Sequence, residues 1–108
     1  MPHADIKYSS DLDINAEEIL QAIEETILGK DTGAGACKGR AYPADQFNHT
    51  HILVTVALLQ KPHRDRAFTV SLTEELEKAI KAHIHQSCAF SLSVEYNLDT
   101  YITNQHTV

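Results

Sequence analysis

Polar and apolar residues alternate from His3 to Tyr8, with His3, Asp5 and Lys7 on one side and Ala4, Ile6 and Tyr8 on the other. That period of two predicts a half-buried strand. Ser9 to Asp13 is polar and reads as a loop, and Asn15 followed three residues later by Glu18 resembles a capping pair. Ile19, Leu20, Ile23 and Ile27 then mark one face of an amphipathic helix expected to stop at Gly29. After the flexible stretch Lys30 to Gly35, Cys37 to Tyr42 predicts a second strand ending at Pro43, with Lys38, Arg40 and Tyr42 on one face.

Ile52 to Gln60 predicts a third strand, apolar on both faces and therefore central and covered. Asp65 is the expected N-cap of a second helix, whose buried stripe runs from Phe68 through Leu72, Leu76, Ala79 and Ile80 to Ile84. Cys88, Phe90, Leu92, Val94 and Tyr96 alternate with Ala89, Ser91, Ser93 and Glu95, the clearest strand pattern in the chain. The order is strand, helix, strand, repeated once. Each such unit forms a parallel pair with a right-handed crossover. The expected fold class is an α+β two-layer sandwich: two β-α-β units, a four-stranded mixed sheet and two helices on one face. Ile6, the third strand and Leu92/Val94 are expected to supply more apolar surface than two helices cover, which predicts oligomerisation through the other face.

Composition narrows the functional classes. The 108 residues suit a single domain spanning 1–108. A net charge of −6 supplies no broad basic field for nucleic acid or an anionic membrane. The longest apolar run, Ile52 to Leu59, is interrupted by Thr55 and is too short to span a bilayer. The first residues lack the basic start and apolar stretch of a signal peptide, so a cytoplasmic location is expected. There Cys37 and Cys88 are reduced thiols, and the sequon Asn48-His49-Thr50 is inert.

Pro2 is the most informative candidate. Removal of the initiator methionine before a small residue would leave a secondary amine on a rigid ring at the start of a strand. Nearby cations and desolvation both lower the pKa of such an amine, which suits it to act as a base near neutral pH. Lys38 and Arg40 are candidates for those cations. A Met-Pro start also occurs in many proteins without catalytic meaning, and with Met1 retained the Pro2 nitrogen is an amide. Lys38, Arg40, Lys61, Arg64 and Arg66 make up five of the nine basic residues and cluster in two segments. Solvated charges at strand and helix ends are the plainer reading of the same pattern.

Met1-Pro2-His3 opening an alternating strand that ends in Tyr8-Ser9, the segment Lys38-Gly39-Arg40-Ala41-Tyr42-Pro43, and Arg64 just before the second helix resemble the 5-carboxymethyl-2-hydroxymuconate isomerase family. That family lies within the tautomerase superfamily. The resemblance implies a tautomerase/MIF-like homotrimer that needs no cofactor. It implies Pro2 and Arg40 as the catalytic residues, Pro2 as the acid-base group, with Arg40, Lys38 and Arg64 holding substrate carboxylates; from residue type alone, Tyr42 and Tyr96 are candidates to line a pocket, with core-edge packing the plainer reading. The implied substrate is a small unsaturated 2-hydroxy carboxylate, in aromatic catabolism. The chain departs from the family pattern at Pro62-His63-Arg64-Asp65 and at Thr55, positions expected near the pocket. These departures motivate an alternative, a non-catalytic trimeric small-anion-binding protein on the same fold.

Other constellations carry less. His49-Thr50-His51 and His83-Ile84-His85 place imidazoles in pairs, but no carboxylate or cysteine at ligand spacing completes a metal site, and none is expected. Gly33-Ala34-Gly35 is too short for a phosphate loop and follows a helix instead of a strand.

Overall fold

A computed structural model describes residues 1–108. The elements are β1 (His3–Ser9), α1 (Ala16–Lys30), β2 (Lys38–Ala44), β3 (His51–Leu59), α2 (Arg66–Lys81) and β4 (Ala89–Asn97). The sheet order is β2-β1-β3-β4. β1 runs parallel to β2 and β3 parallel to β4, while β1 and β3 meet antiparallel. Each β-α-β unit thus forms the expected parallel pair and supplies one outer and one inner strand.

Both helices start at the expected caps. The Asn15 side chain accepts from the Glu18 N–H at 3.2 Å, and Asp65 accepts from the Phe68 N–H at 2.9 Å. The C-termini differ from expectation. α1 runs one residue past Gly29, with the Asp31 N–H bonding to the Ile27 carbonyl. α2 ends at Lys81, and the chain continues to Ile84 in tighter turns in which His83 and Ile84 donate to the carbonyls three residues back. Pro43 does not end β2, because β2 is an edge strand and a missing donor is tolerated there. Gly39 is needed where α1 crosses β2: a Cβ there would lie 2.6 Å from Leu20 Cδ2.

The core is aliphatic and sits between the helices and one sheet face. Ala4 and Ile6 of β1, Ile52, Val54, Val56 and Leu58 of β3, Ile19, Ile23 and Ile27 of α1, and Leu72, Leu76 and Ile80 of α2 are all buried. In register across the sheet, Ile6, Val54 and Leu92 share this side. The expectation for the opposite face is therefore corrected. Ile6, Leu92 and Val94 all point toward the helices, and the uncovered face carries rows such as Arg40, Asp5, Thr55 and Ser93. β3 is apolar on both faces, as expected, but covered on its helix side only; on the other side Leu53 is 40% exposed, in line with Thr55, Ala57 and Leu59.

The uncovered face still leaves the molecule flat, 39 × 38 × 22 Å. Its accessible surface is 6902 Å², against about 6000 Å² for a compact monomer of this mass. The two units also share a local device. The Lys38 N–H donates to the Pro2 carbonyl at 2.9 Å, and the Ala89 N–H donates to the Thr50 carbonyl at 3.0 Å, so each outer strand is latched to the residue preceding its inner strand.

Candidate functional site

The start of β1, the end of β3 and the turn leading into α2 converge at one end of the sheet. Pro2 is fully buried there, its carbonyl held by β2. A pocket of about 380 Å³ opens at this end, lined by Gln60, Lys61, Pro62, Arg64 and Tyr96. Tyr96 pairs in register with core residue Leu58, which puts the pocket on the helix side of the sheet. The Tyr96 hydroxyl is fixed by the Thr69 hydroxyl of α2 at 2.6 Å.

Arg64 organises the turn. Its Nη1 donates to the Leu59 carbonyl at 2.8 Å, and Nε and Nη2 donate to Asp31 Oδ2 at 3.0 and 2.8 Å. The side chains of this pair are only 3% and 12% exposed. His63 Nε2 donates to the same carboxylate oxygen at 2.8 Å, while Asp31 Oδ1 accepts from the Gly33 N–H at 3.2 Å. The His63 hydrogen bond, followed by those from Arg64, holds the Asp31 carboxyl down at about 2. Asp31 is the C-cap of α1, where a carboxylate faces the negative end of the helix dipole, and Arg64 offsets that repulsion.

The amine of Met1, one residue before Pro2, lies in this environment. Burial pushes its pKa below the ordinary 8.0, and the charges of Lys61 and Arg64 push it further, with Cys37 acting weakly in the opposite sense. Burial, then the nearby Glu24 carboxylate, raises the Cys37 thiol to about 11, which disfavours its thiolate. Both cysteines are free thiols.

Arg40 is on the other face of the sheet. Its Nε donates to Asp5 Oδ1 at 2.6 Å, and Nη1 and Nη2 each reach His3 Nδ1 at 3.3 Å. Burial, then the Arg40 charge, then the Met1 amine lower the His3 pKa, which favours the neutral imidazole, and Arg40, a donor only, faces its Nδ1. Lys38 stands in register with His3 and is exposed.

The predicted basic cluster is therefore divided by the sheet. Lys61 and Arg64 stand at the helix-side pocket, Lys38 and Arg40 on the uncovered face, and Pro2 at the boundary. Tyr42, 48% exposed, lies four residues along β2 from Lys38, roughly 13 Å away, and is not brought to the pocket. Of the two departures from the family pattern, Pro62 and Arg64 do line the pocket, whereas Thr55 sits mid-sheet opposite Asp5. The paired histidines are not assembled with other ligands: no group of three or more His, Cys, Asp or Glu side chains converges. Sequence reasoning missed Asp5 and Asp31, the partners of the two arginines. Asp5 was accessible as a same-face neighbour of Arg40 once the strand pairing was known; nothing local links Asp31 to Arg64.

A two-layer β-α-β repeat with the sheet order β2-β1-β3-β4 and both helices on one face is the tautomerase fold. Within that class the chain is similar to a solved 5-carboxymethyl-2-hydroxymuconate delta-isomerase, with a TM-score of 0.74 at 18% identity, covering 98% of this chain and 89% of that one. It is also similar to a 5-carboxymethyl-2-hydroxymuconate isomerase from Deinococcus radiodurans R1, with a TM-score of 0.77, 18% identity and coverage of 96% and 90%. A fused 4-OT symmetric trimer matches with a TM-score of 0.65 at 14% identity, over 84% of this chain and 82% of that one. No protein-family model and no curated protein sequence matches the chain. No helix is long and apolar enough to cross a membrane.

Proposed function

We propose that this chain is a cofactor-independent isomerase that converts a dienol carboxylate to its conjugated 2-oxo isomer, with Pro2 as the acid-base residue. The observation that carries the reading is the terminal amine beside the pocket, where burial, Lys61 and Arg64 all favour the neutral form. In this reading Met1 is removed, and the Pro2 nitrogen becomes the chain's amine, one residue from the position at which Lys61 and Arg64 act on the Met1 amine. The amine takes the hydroxyl proton of the dienol, giving a dienolate, and the same nitrogen returns a proton to the distal carbon; no redox change occurs. Positive charge beside the dienolate stabilises it. In this reading Lys38 and Arg40 supply that charge from the uncovered face, with His3 held neutral between Arg40 and the chain start. Arg64 shapes the pocket wall.

A homotrimer accords with the reading. The surface in excess of a compact monomer is about 900 Å², close to one partner's share of a standard interface. The substrate class is a small unsaturated carboxylate, and the setting is aromatic catabolism in the cytoplasm. A second reading is a trimeric small-anion-binding protein without catalysis, favoured by the internal pairing of Arg40 with Asp5 and Arg64 with Asp31.

The test is ultraviolet monitoring of 2-hydroxydienoate ketonisation by protein whose N-terminus has been verified by mass. Pro2→Ala is expected to lower kcat by about 10²–10⁴, the usual contribution of a positioned acid-base group. Quantitative retention of Met1 in the native host, or an undiminished rate for Pro2→Ala, refutes the role. An inactive mature protein that binds small anions tightly favours the second reading.

A further inference from the structure

The four cations around the start of β1 are treated unequally by the fold. Arg40 and Arg64 each meet a carboxylate of the chain itself, at 2.6 and 2.8 Å. Lys38 and Lys61 take part in none of the six ion pairs. Of these two free cations, only Lys61 lines the pocket.

Arg64 is poorly suited to receive a ligand. Three of its guanidinium nitrogens are already used, two on Asp31 and one on the Leu59 carbonyl, and the side chain is 3% exposed. A substrate carboxylate would have to displace Asp31 from a nearly dry pair. The same bonds do something else well. They tie the turn to the last residue of β3 and to the end of α1, and the Arg64 N–H closes the turn on the Lys61 carbonyl at 2.9 Å. The Lys61 backbone is pinned while its ammonium remains uncommitted, which is the arrangement a charged binding residue requires.

We propose that Lys61 is the residue that receives the substrate carboxylate in this pocket, and that Asp31 is a positioning residue acting through Arg64 to hold the Lys61–Arg64 turn. The proposal rests on the isomerase reading for its substrate class but not for its binding chemistry, which any small carboxylate probes. The carboxylate carries its charge in both the ground state and the transition state, so Lys61 contributes uniform binding and acts on KM more than on kcat.

Calorimetric titration of adipate, a saturated dicarboxylate that does not isomerise, tests binding directly in the intact protein. Lys61→Met is expected to weaken adipate about tenfold to a hundredfold, the size of one hydrogen bond to a charged group. Lys61→Arg is expected to recover most of that loss. In kinetics, Lys61→Met raises KM for a 2-hydroxydienoate with little change in kcat and leaves KM for its methyl ester unchanged. Lys61 is exposed, so this variant folds. Asp31→Asn that unfolds cooperatively is expected to weaken adipate and raise KM, with Asp31→Glu restoring both. Wild type that does not bind adipate, or Lys61→Met that binds it as wild type does, overturns the Lys61 assignment. Folded Asp31→Asn with wild-type adipate affinity overturns the positioning role. A wild type that turns over no dienol, yet loses adipate on Lys61→Met, sinks the isomerase reading and leaves the binding assignment standing.

Discussion

Replacing Asp31 by Asn removes one negative charge from beneath Arg64 with almost no change of shape. The carboxyl moves from an ordinary 3.8 to about 2 on folding, which corresponds to about 2 kcal/mol of stability at neutral pH. Leaving the Arg64 guanidinium, 3% exposed, without its counter-charge adds a desolvation penalty. Breaking a buried pair from one side costs about 3–5 kcal/mol in general, and the amide oxygen still accepts a hydrogen bond, so about 3 kcal/mol is the expected loss. In a domain of this size that is a fall in Tm of roughly 12–24 °C. Urea unfolding at matched protomer concentration measures it, because subunit association would otherwise add to apparent stability. The midpoint should fall by about 1–2 M with an unchanged slope. The sign with pH is also set. Asp31 has a depressed folded pKa, so its contribution is complete above the unfolded value near pH 4 and is lost as the pH falls toward 2. The gap between wild type and Asp31→Asn should therefore be constant from pH 7 to about 5 and close between about 4 and 2. A gap under about 0.5 kcal/mol at pH 7, the level of an ordinary surface change, refutes the buried-pair reasoning, as does one that persists undiminished at pH 2.

Two further outcomes are expected. Gly39→Ala places a Cβ 2.6 Å from Leu20 Cδ2, and because that atom is the mobile tip of its side chain the loss should be modest, about 1 kcal/mol, and relieved by Leu20→Ala in a double-mutant cycle; additive losses in the urea midpoints would contradict the contact. Arg40→Met should change stability by less than about 1 kcal/mol, since the pair with Asp5 is more than a third exposed, while the His3 pKa, followed by the ring proton resonances in NMR, should rise as the neighbouring charge is lost; a static or falling His3 pKa would remove Arg40 as a cause of its depression.

Much of the fold is legible in the chain because its signals are local. Asn15 and Asp65 cap the helices they were expected to cap, and the alternation at Phe90 to Tyr96 defines the helix side of β4. The errors arise where a tertiary fact decides. Pro43 reads as a terminator until β2 is known to be an edge strand. β3 reads as buried on both faces because Leu53, Ala57 and Leu59 are apolar, yet only register against β1 shows Leu53 beside Lys7 and Ala57 beside His3 on the uncovered face. The candidate site divides in the same way. Pro2, Lys38, Arg40 and Arg64 stand out by residue type, but which cations are already neutralised depends on Asp5 across a strand pair and on Asp31 more than thirty positions away.

The latch between each outer strand and the residue before its inner strand makes Pro2 and Thr50 equivalent positions in the two halves of the sheet. At Thr50 the chain runs on backward through His49, so the nitrogen there is a peptide amide under every form of terminal processing. That position has been turned into a clasp instead: the Thr50 hydroxyl donates to Asp11, and Gln86 bonds to the backbone of Asp11 and Asp13. The same backbone latch is therefore made twice, with different side chains around it. The charges of Lys61 and Arg64 bear on the chain at the first of these positions and the Asp11 carboxylate meets the second, so one repeated latch carries a basic end and an acidic end.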